Sequence, residues 1–183
     1  MSRTLVASLV ASLVAACSSR RPGEGAEQEP PPQVVLHGAR LSTYEGEALT
    51  LSGHAERLTY QRTGGDARAF NATLRVPPGA PGGGGVGASK GLEVSAPNME
   101  GLQASKELVA SGGVVVRTGE GMVVHTPRLT YDATTESAWG NEGVRIQGPG
   151  YNLRSDRFEL SFPDETFTFE GSVETVLGAV ERD

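Results

Sequence analysis

Along this chain apolar and polar residues alternate in short runs, and the runs return. Leu58 and Tyr60, Leu129 and Tyr131, and Phe158 and Leu160 share one parity. Arg57 and Thr59, Arg128 and Thr130, and Arg157 and Glu159 share the other. Period two marks a strand with one buried face, and the residues lean toward the β-branched and aromatic types that strands prefer. Each run belongs to a recurring heptapeptide. His54-Ala55-Glu56-Arg57-Leu58-Thr59-Tyr60 returns as His125-Thr126-Pro127-Arg128-Leu129-Thr130-Tyr131 and as Arg154-Ser155-Asp156-Arg157-Phe158-Glu159-Leu160. A weaker copy is Ser95-Ala96-Pro97-Asn98-Met99-Glu100-Gly101. The last three copies begin about 30 residues apart, the spacing of one supersecondary unit stacked on itself. The first interval is longer and holds a Gly/Pro-rich stretch.

Turn residues follow the runs: Thr63-Gly64-Gly65-Asp66, Asp132-Ala133-Thr134-Thr135 and Pro163-Asp164-Glu165. A return strand then carries an aromatic residue: Phe70, Trp139, or the pair Phe167 and Phe169. Next comes Gly143-Val144-Arg145-Ile146 or Gly171-Ser172-Val173-Glu174, again alternating. Each unit therefore reads as strand, hairpin, strand and a Gly-marked turn into the next. Beyond residue 34 only Met99 to Leu108 offers a weak helical pattern. A single such unit cannot bury its apolar face, but several together can. The pattern predicts an all-β fold, an open-ended β-jellyroll of stacked β-hairpin units in two curved antiparallel sheets. An ordinary β-sandwich with look-alike hairpins is the plainer alternative.

The first residues read differently. Arg3 precedes an apolar run, Leu5 to Val14, which is too short for the roughly 20 residues of a membrane span. It has the basic start, short apolar core and small residues of a secretory leader. Val14-Ala15-Ala16-Cys17 predicts a bacterial lipoprotein signal over 1–16, with Cys17 acylated. Cys17 is the only cysteine, so it has no internal disulfide partner, and ordinary cleavage would leave an odd free thiol at the new terminus. Two or more acyl chains hold stably, at about 0.8 kcal/mol per buried methylene. Residues 17–33 then form the anchor and a polar, Pro-rich tether that extends to roughly 50 Å. One domain over 34–177 follows, interrupted by a Gly/Pro-rich surface loop at about 77–90, with a tail at 178–183.

The formal charge is −6, and removing Arg3 with the leader makes it −7. That argues against nucleic acid and against adhesion to anionic lipid. Chemistry-bearing motifs are few. The glycines from Gly82 to Gly87 lack the Gly-Lys-Ser/Thr ending of a phosphate loop. His37, His54 and His125 have no ligand spacing; His54 and His125 are repeat-equivalent, which suggests a structural role at strand starts. No nucleophile elbow or carboxylate pair stands out. The expectation is no enzyme, no cofactor and no metal.

Thr126-Pro127-Arg128-Leu129-Thr130-Tyr131-Asp132 leads to Gly143-Val144-Arg145-Ile146-Gln147-Gly148-Pro149-Gly150-Tyr151, then to Phe169-Glu170-Gly171-Ser172-Val173 and Leu177. In that order these segments resemble the C-terminal half of the LptC family, periplasmic bridge proteins of lipopolysaccharide export. The likeness is good over about 110–177 and weaker over 34–76. It implies two curved sheets around an apolar groove for lipopolysaccharide acyl chains. It implies docking to inner-membrane ABC transporter permeases at one end and strand pairing with an LptA-like bridge protein at the other. It places the protein in the periplasm, where a lipid anchor replaces the family's usual membrane helix. The inner membrane follows from the resemblance, with the outer as the alternative. Val124, Leu129, Tyr131, Ile146, Leu153, Phe158, Leu160, Phe167 and Phe169 are the groove candidates, by shared parity. The last strand, about Thr166 to Leu177, is the candidate docking edge, through Thr166, Thr168, Glu170, Ser172, Val173 and Glu174. The competing functions are a structural, partner-binding envelope lipoprotein with a packed core, and an LptA-like bridge protein.

Overall fold

A computed structural model describes residues 32–80, 90–164 and 166–178. The leader, Cys17 and nearly all of the tether lie outside that range, as do Glu165, residues 81–89 of the Gly/Pro-rich loop and 179–183 of the tail. The described residues form twelve strands: β1 (Gln33–Glu45), β2 (Ala48–Gln61), β3 (Ala67–Val76), β4 (Leu92–Leu102), β5 (Glu107–Thr118), β6 (Val123–Asp132), β7 (Ser137–Gly140), β8 (Val144–Gly148), β9 (Tyr151–Ser155), β10 (Arg157–Ser161), β11 (Thr166–Glu170) and β12 (Glu174–Leu177). All belong to one antiparallel sheet. It runs β1-β2-β3-β4-β5-β6 and then branches. One end of β6 pairs β7, followed by β10 and β11; the other end pairs β8, followed by β9 and β12. Met99 to Leu108, the weak helical candidate, is strand on either side of a turn: pairing with flanking strands overrides local pattern.

The branch has a simple cause. Every long strand is interrupted along one line, and β7 with β8, β9 with β10, and β11 with β12 are long strands broken there completely. The β1–β2 ladder reaches His37–Arg57 and resumes at Ala39–Ala55, and the β3–β4 ladder reaches Phe70–Asn98 and resumes at Ala72–Ala96. Register shifts between Ser95 and Asn98 and between Ser111 and Val114 carry the line across β4 and β5. An extra residue at a bulge bends the strand and re-aims its side chains. Two kinds of interruption alternate. Strands running one way cross the line at Gly38, Asn71, Gly112–Gly113, Gly143 and Gly171, all with φ between 46° and 99°. That left-handed region is one Gly enters freely and Asn tolerates. Strands running the other way cross at Glu56, Pro97, Pro127 and Asp156. These are the third residues of the four heptapeptide copies.

The repeat therefore encodes a crease. Its second residue (Ala55, Ala96, Thr126, Ser155) is small and buried, and its fifth (Leu58, Met99, Leu129, Phe158) returns to the same side three residues later. Ala39, Ala55, Ala72 and Ala96 lie in one cross-strand row beside the line. Small side chains there let the two halves of the sheet close on each other. Residues from both halves share one core: Ala96, Val114, Val116, Val124, Val144 and Ile146 from one, Met99, Ala110 and Phe158 from the other. This is a single sheet folded into a jellyroll-like shape, with two ends that pair no further strand among the described residues. The Gly-marked turns expected at Gly143 and Gly171 are crease crossings instead. A break within one strand and a turn between two use the same residue types.

Buried hydroxyls satisfy the backbone where the ladder stops. The Thr126 hydroxyl lies 3.0 Å from Arg128 O and 2.9 Å from Gly143 O; the Ser155 hydroxyl lies 2.7 Å from both Arg157 O and Glu170 O. Each shares its single proton between two carbonyls that the interruption leaves free.

Candidate functional site

Register puts all nine groove candidates on the inner face. Val124 pairs Val116 and Ile146, and Ile146 pairs Leu153. Leu129 pairs Ala110, Tyr131 pairs Leu108 and Ala138, Phe158 pairs Gly140 and Phe169, and Leu160 pairs Ala138 and Phe167. Val124, Ile146 and Phe158 are buried in the core; Leu129, Leu153 and Phe169 pack partly buried against it. Tyr131, Leu160 and Phe167 lie farther from the crease and are half-buried. Tyr131 meets Phe162 edge to face at 5.7 Å, and Phe167 stacks on Phe169 at 5.9 Å. Burial pushes the Tyr131 phenol above its ordinary range, with Glu136 and then Asp132 adding to the effect. Gly140 has no room for a side chain, since a Cβ there would come within 2.4 Å of the Phe158 ring and 2.7 Å of Arg128 O.

The inner face opens toward both ends of the sheet. Leu36 pairs Leu58 and Leu41 pairs Gly53, so both are inward by register, yet they are 47 % and 51 % exposed. At the other end Leu177, opposite Tyr151, is 78 % exposed. Leu36 and Leu41 were not among the sequence candidates. Their alternation is present in the chain, but Gly38 shifts the parity between them, so strict period two does not join them.

The candidate docking edge is two strands rather than one. Gly171, with φ of 91°, and Ser172 form the crease between β11 and β12. A Cβ on Gly171 would come within 2.4 Å of Asp156 Oδ2, the same atom that accepts Ser172 N–H at 2.8 Å. Among the described residues β11 pairs only β10 and β12 pairs only β9. Thr166, Thr168, Glu170, Ser172, Val173 and Glu174 are all exposed along this boundary. Glu170 is 3.9 Å from Arg157, and Glu174 is 3.8 Å from Arg154. The opposite boundary is β1, which among the described residues pairs only β2.

His54 and His125 do not begin strands. They lie within β2 and β6 on the outer face, one residue before the buried small residue of the crease. His125, Arg128, Arg145, Arg154, Glu142, Asp156 and Glu174 line an open pocket of about 760 Å³ along the outer side of the crease. Its three arginines are balanced by three carboxylates. Phe70 is also on the outer face, under the Arg57 guanidinium at 4.1 Å; Trp139 pairs Thr130 and Glu159 there.

Residues 86–178 match the family model described as lipopolysaccharide-assembly, LptC-related. No curated protein matches the chain.

Proposed function

This chain belongs to the LptC-related lipopolysaccharide-assembly family, and from that premise we propose that it is a lipid-anchored periplasmic bridge. It takes lipopolysaccharide from the permeases of an inner-membrane ABC transporter and passes it to an LptA-like bridge protein. The observation that carries this reading is the apolar inner face, which continues from Leu36 and Leu41 through the core to Phe169 and Leu177 and is exposed at both ends. A lipid anchor with several acyl chains loses about 0.8 kcal/mol for each methylene left in water, so an unshielded crossing costs tens of kcal/mol. A folded sheet shields chains between its halves and leaves a charged headgroup outside. Its two end strands, each paired on one side only among the described residues, suit strand addition, which transfers the lipid along one continuous face.

Leu129, Leu153, Tyr131, Leu160, Phe167 and Phe169 form the accessible lining in this reading. Val124, Ile146 and Phe158 lie deeper, and acyl chains reach them only if the halves part. Cys17 holds the domain to the membrane through its acyl chains. The test places photo-crosslinking residues at Leu129, Leu160 and Phe167, and separately at Arg128, Glu159 and Thr168, in growing cells. The first set captures lipopolysaccharide and the second does not. A Cys17→Ser variant leaves the membrane fraction. Equal capture by both sets would rule out a sheltered slot, and a membrane-bound Cys17→Ser protein would rule out the anchor.

A further inference from the structure

We propose that the β11–β12 edge selects a partner strand of one kind: antiparallel, bent at its middle, and basic on both sides of the bend. The inference deepens the bridge reading and rests on it. Two observations carry it. The first is the alternation of crossings. All nine long strands follow it, and β1 and β11–β12, the two ends, are both of the positive-φ kind. The next antiparallel strand on β11–β12 is therefore of the other kind, that of the heptapeptide repeat. A straight strand can pair with β11 or with β12 but not with both, because the two diverge at Gly171.

The second observation is charge. In three of the four copies the residues flanking the crease on the outer face are His54 and Arg57, His125 and Arg128, and Arg154 and Arg157; in the copy on β4 they are Ser95 and Asn98. Arg154 and Arg157 face Glu174 and Glu170 in register. A further strand of this kind with a cation at each of these places, as β9–β10 has in Arg154 and Arg157, sets both against Glu174 and Glu170 from the open side. The sheet already contains that arrangement: Glu93 lies between Arg75 at 2.5 Å and Arg117 at 3.6 Å on the strands to either side. The β1 edge presents His37 and Arg40 at the equivalent places. Arg40 repels a cation set against it, so the two ends are distinguished by sign. The occupant is thus the edge strand of a partner with the same folded-sheet architecture, carrying basic–small–x–basic at its bend.

The probe is a synthetic peptide of residues 150–162, which carries Arg154-Ser155-Asp156-Arg157. It is offered to the full-length protein in detergent, with photo-crosslinkers at Thr168, at Val176 or, on the β1 edge, at Val35. The peptide crosslinks at Thr168 and Val176 and not at Val35. A peptide with both arginines replaced by glutamate binds about fivefold or more weakly, and a Glu170→Arg, Glu174→Arg protein restores its binding. Both proteins are compared by thermal melting, so that loss of fold is recognised. Equal affinity of the two peptides, capture at only one of the two half-strands, no capture at all, or displacement by a second copy of the chain docking through β1 overturns the proposal. Co-purification of a bridge protein is measured in parallel. If it persists while the charge preference is absent, the export role stands and the matched bend does not.

Discussion

At the residue scale the crease depends on a few polar atoms in a dry place. Ser155 is buried, and its hydroxyl serves two carbonyls at 2.7 Å. Ser155→Ala leaves both with no donor from that side. The expected loss is about 1–3 kcal/mol, the range for a buried polar group stripped of its partner. Ser161 bonds Asp164 at 2.7 Å on an exposed hairpin tip, and Ser161→Ala should cost within about 0.5 kcal/mol. Urea unfolding of the two variants checks the contrast. Equal losses would mean that the shared Ser155 hydrogen bonds contribute no more than a solvated one.

At the element scale the turns are local and titratable. The β6–β7 turn is closed by Asp132, whose carboxylate accepts Thr134 N–H at 2.6 Å. The backbone N–H of Thr134 is the first reason the carboxyl is held below its ordinary value of 3.8. A depressed folded-state pKa means stability that is present above the unfolded value and lost as pH falls through the folded one. The stability gap between the wild type and Asp132→Ala should therefore be full at neutral pH, shrink below about pH 4 and close in stronger acid. Melting curves across that range read it directly; a gap independent of pH would remove the carboxylate from the turn's account. The last strand shows the opposite dependence, on distant partners. Thr166 to Leu177 reads as one alternating run, yet Ser172 N–H is engaged by Asp156 and the run divides into β11 and β12. A proline at Ser172 would thus disturb the fold as well as the edge.

Across the whole molecule, stability comes from one core shared by two half-sheets, and the Gly/Pro-rich loop joins strands already fixed by pairing. Val76 is opposite Leu92, and the β3–β4 ladder runs from there to Ala67–Gly101 with only the crease between. Deleting residues 79–88 leaves a short connection between fixed ends. Loop closure varies slowly with length, so the change in stability should be about 1 kcal/mol or less. A large drop in melting temperature would show that the segment packs on the sheet.

Parity alone identified the strands. The inward set Leu129, Tyr131, Phe158 and Leu160 follows from period two, because a strand's neighbours in sequence always point to opposite faces. The heptapeptide is equally plain, and it is the order of the segments from Thr126 to Leu177 that resembles the family. The meaning of the heptapeptide is not plain. Ala55-Glu56-Arg57 or Ser155-Asp156-Arg157 becomes a bend only when the neighbouring strands interrupt at the same level, and those neighbours mark the place with a lone Gly or with Asn71. Leu36 and Leu41 were missed for that reason: one inserted residue inverts the parity on which the reading rests. The free edges were also beyond local pattern. A strand is an edge because no other strand lies beside it, and that is a property of the whole pairing scheme.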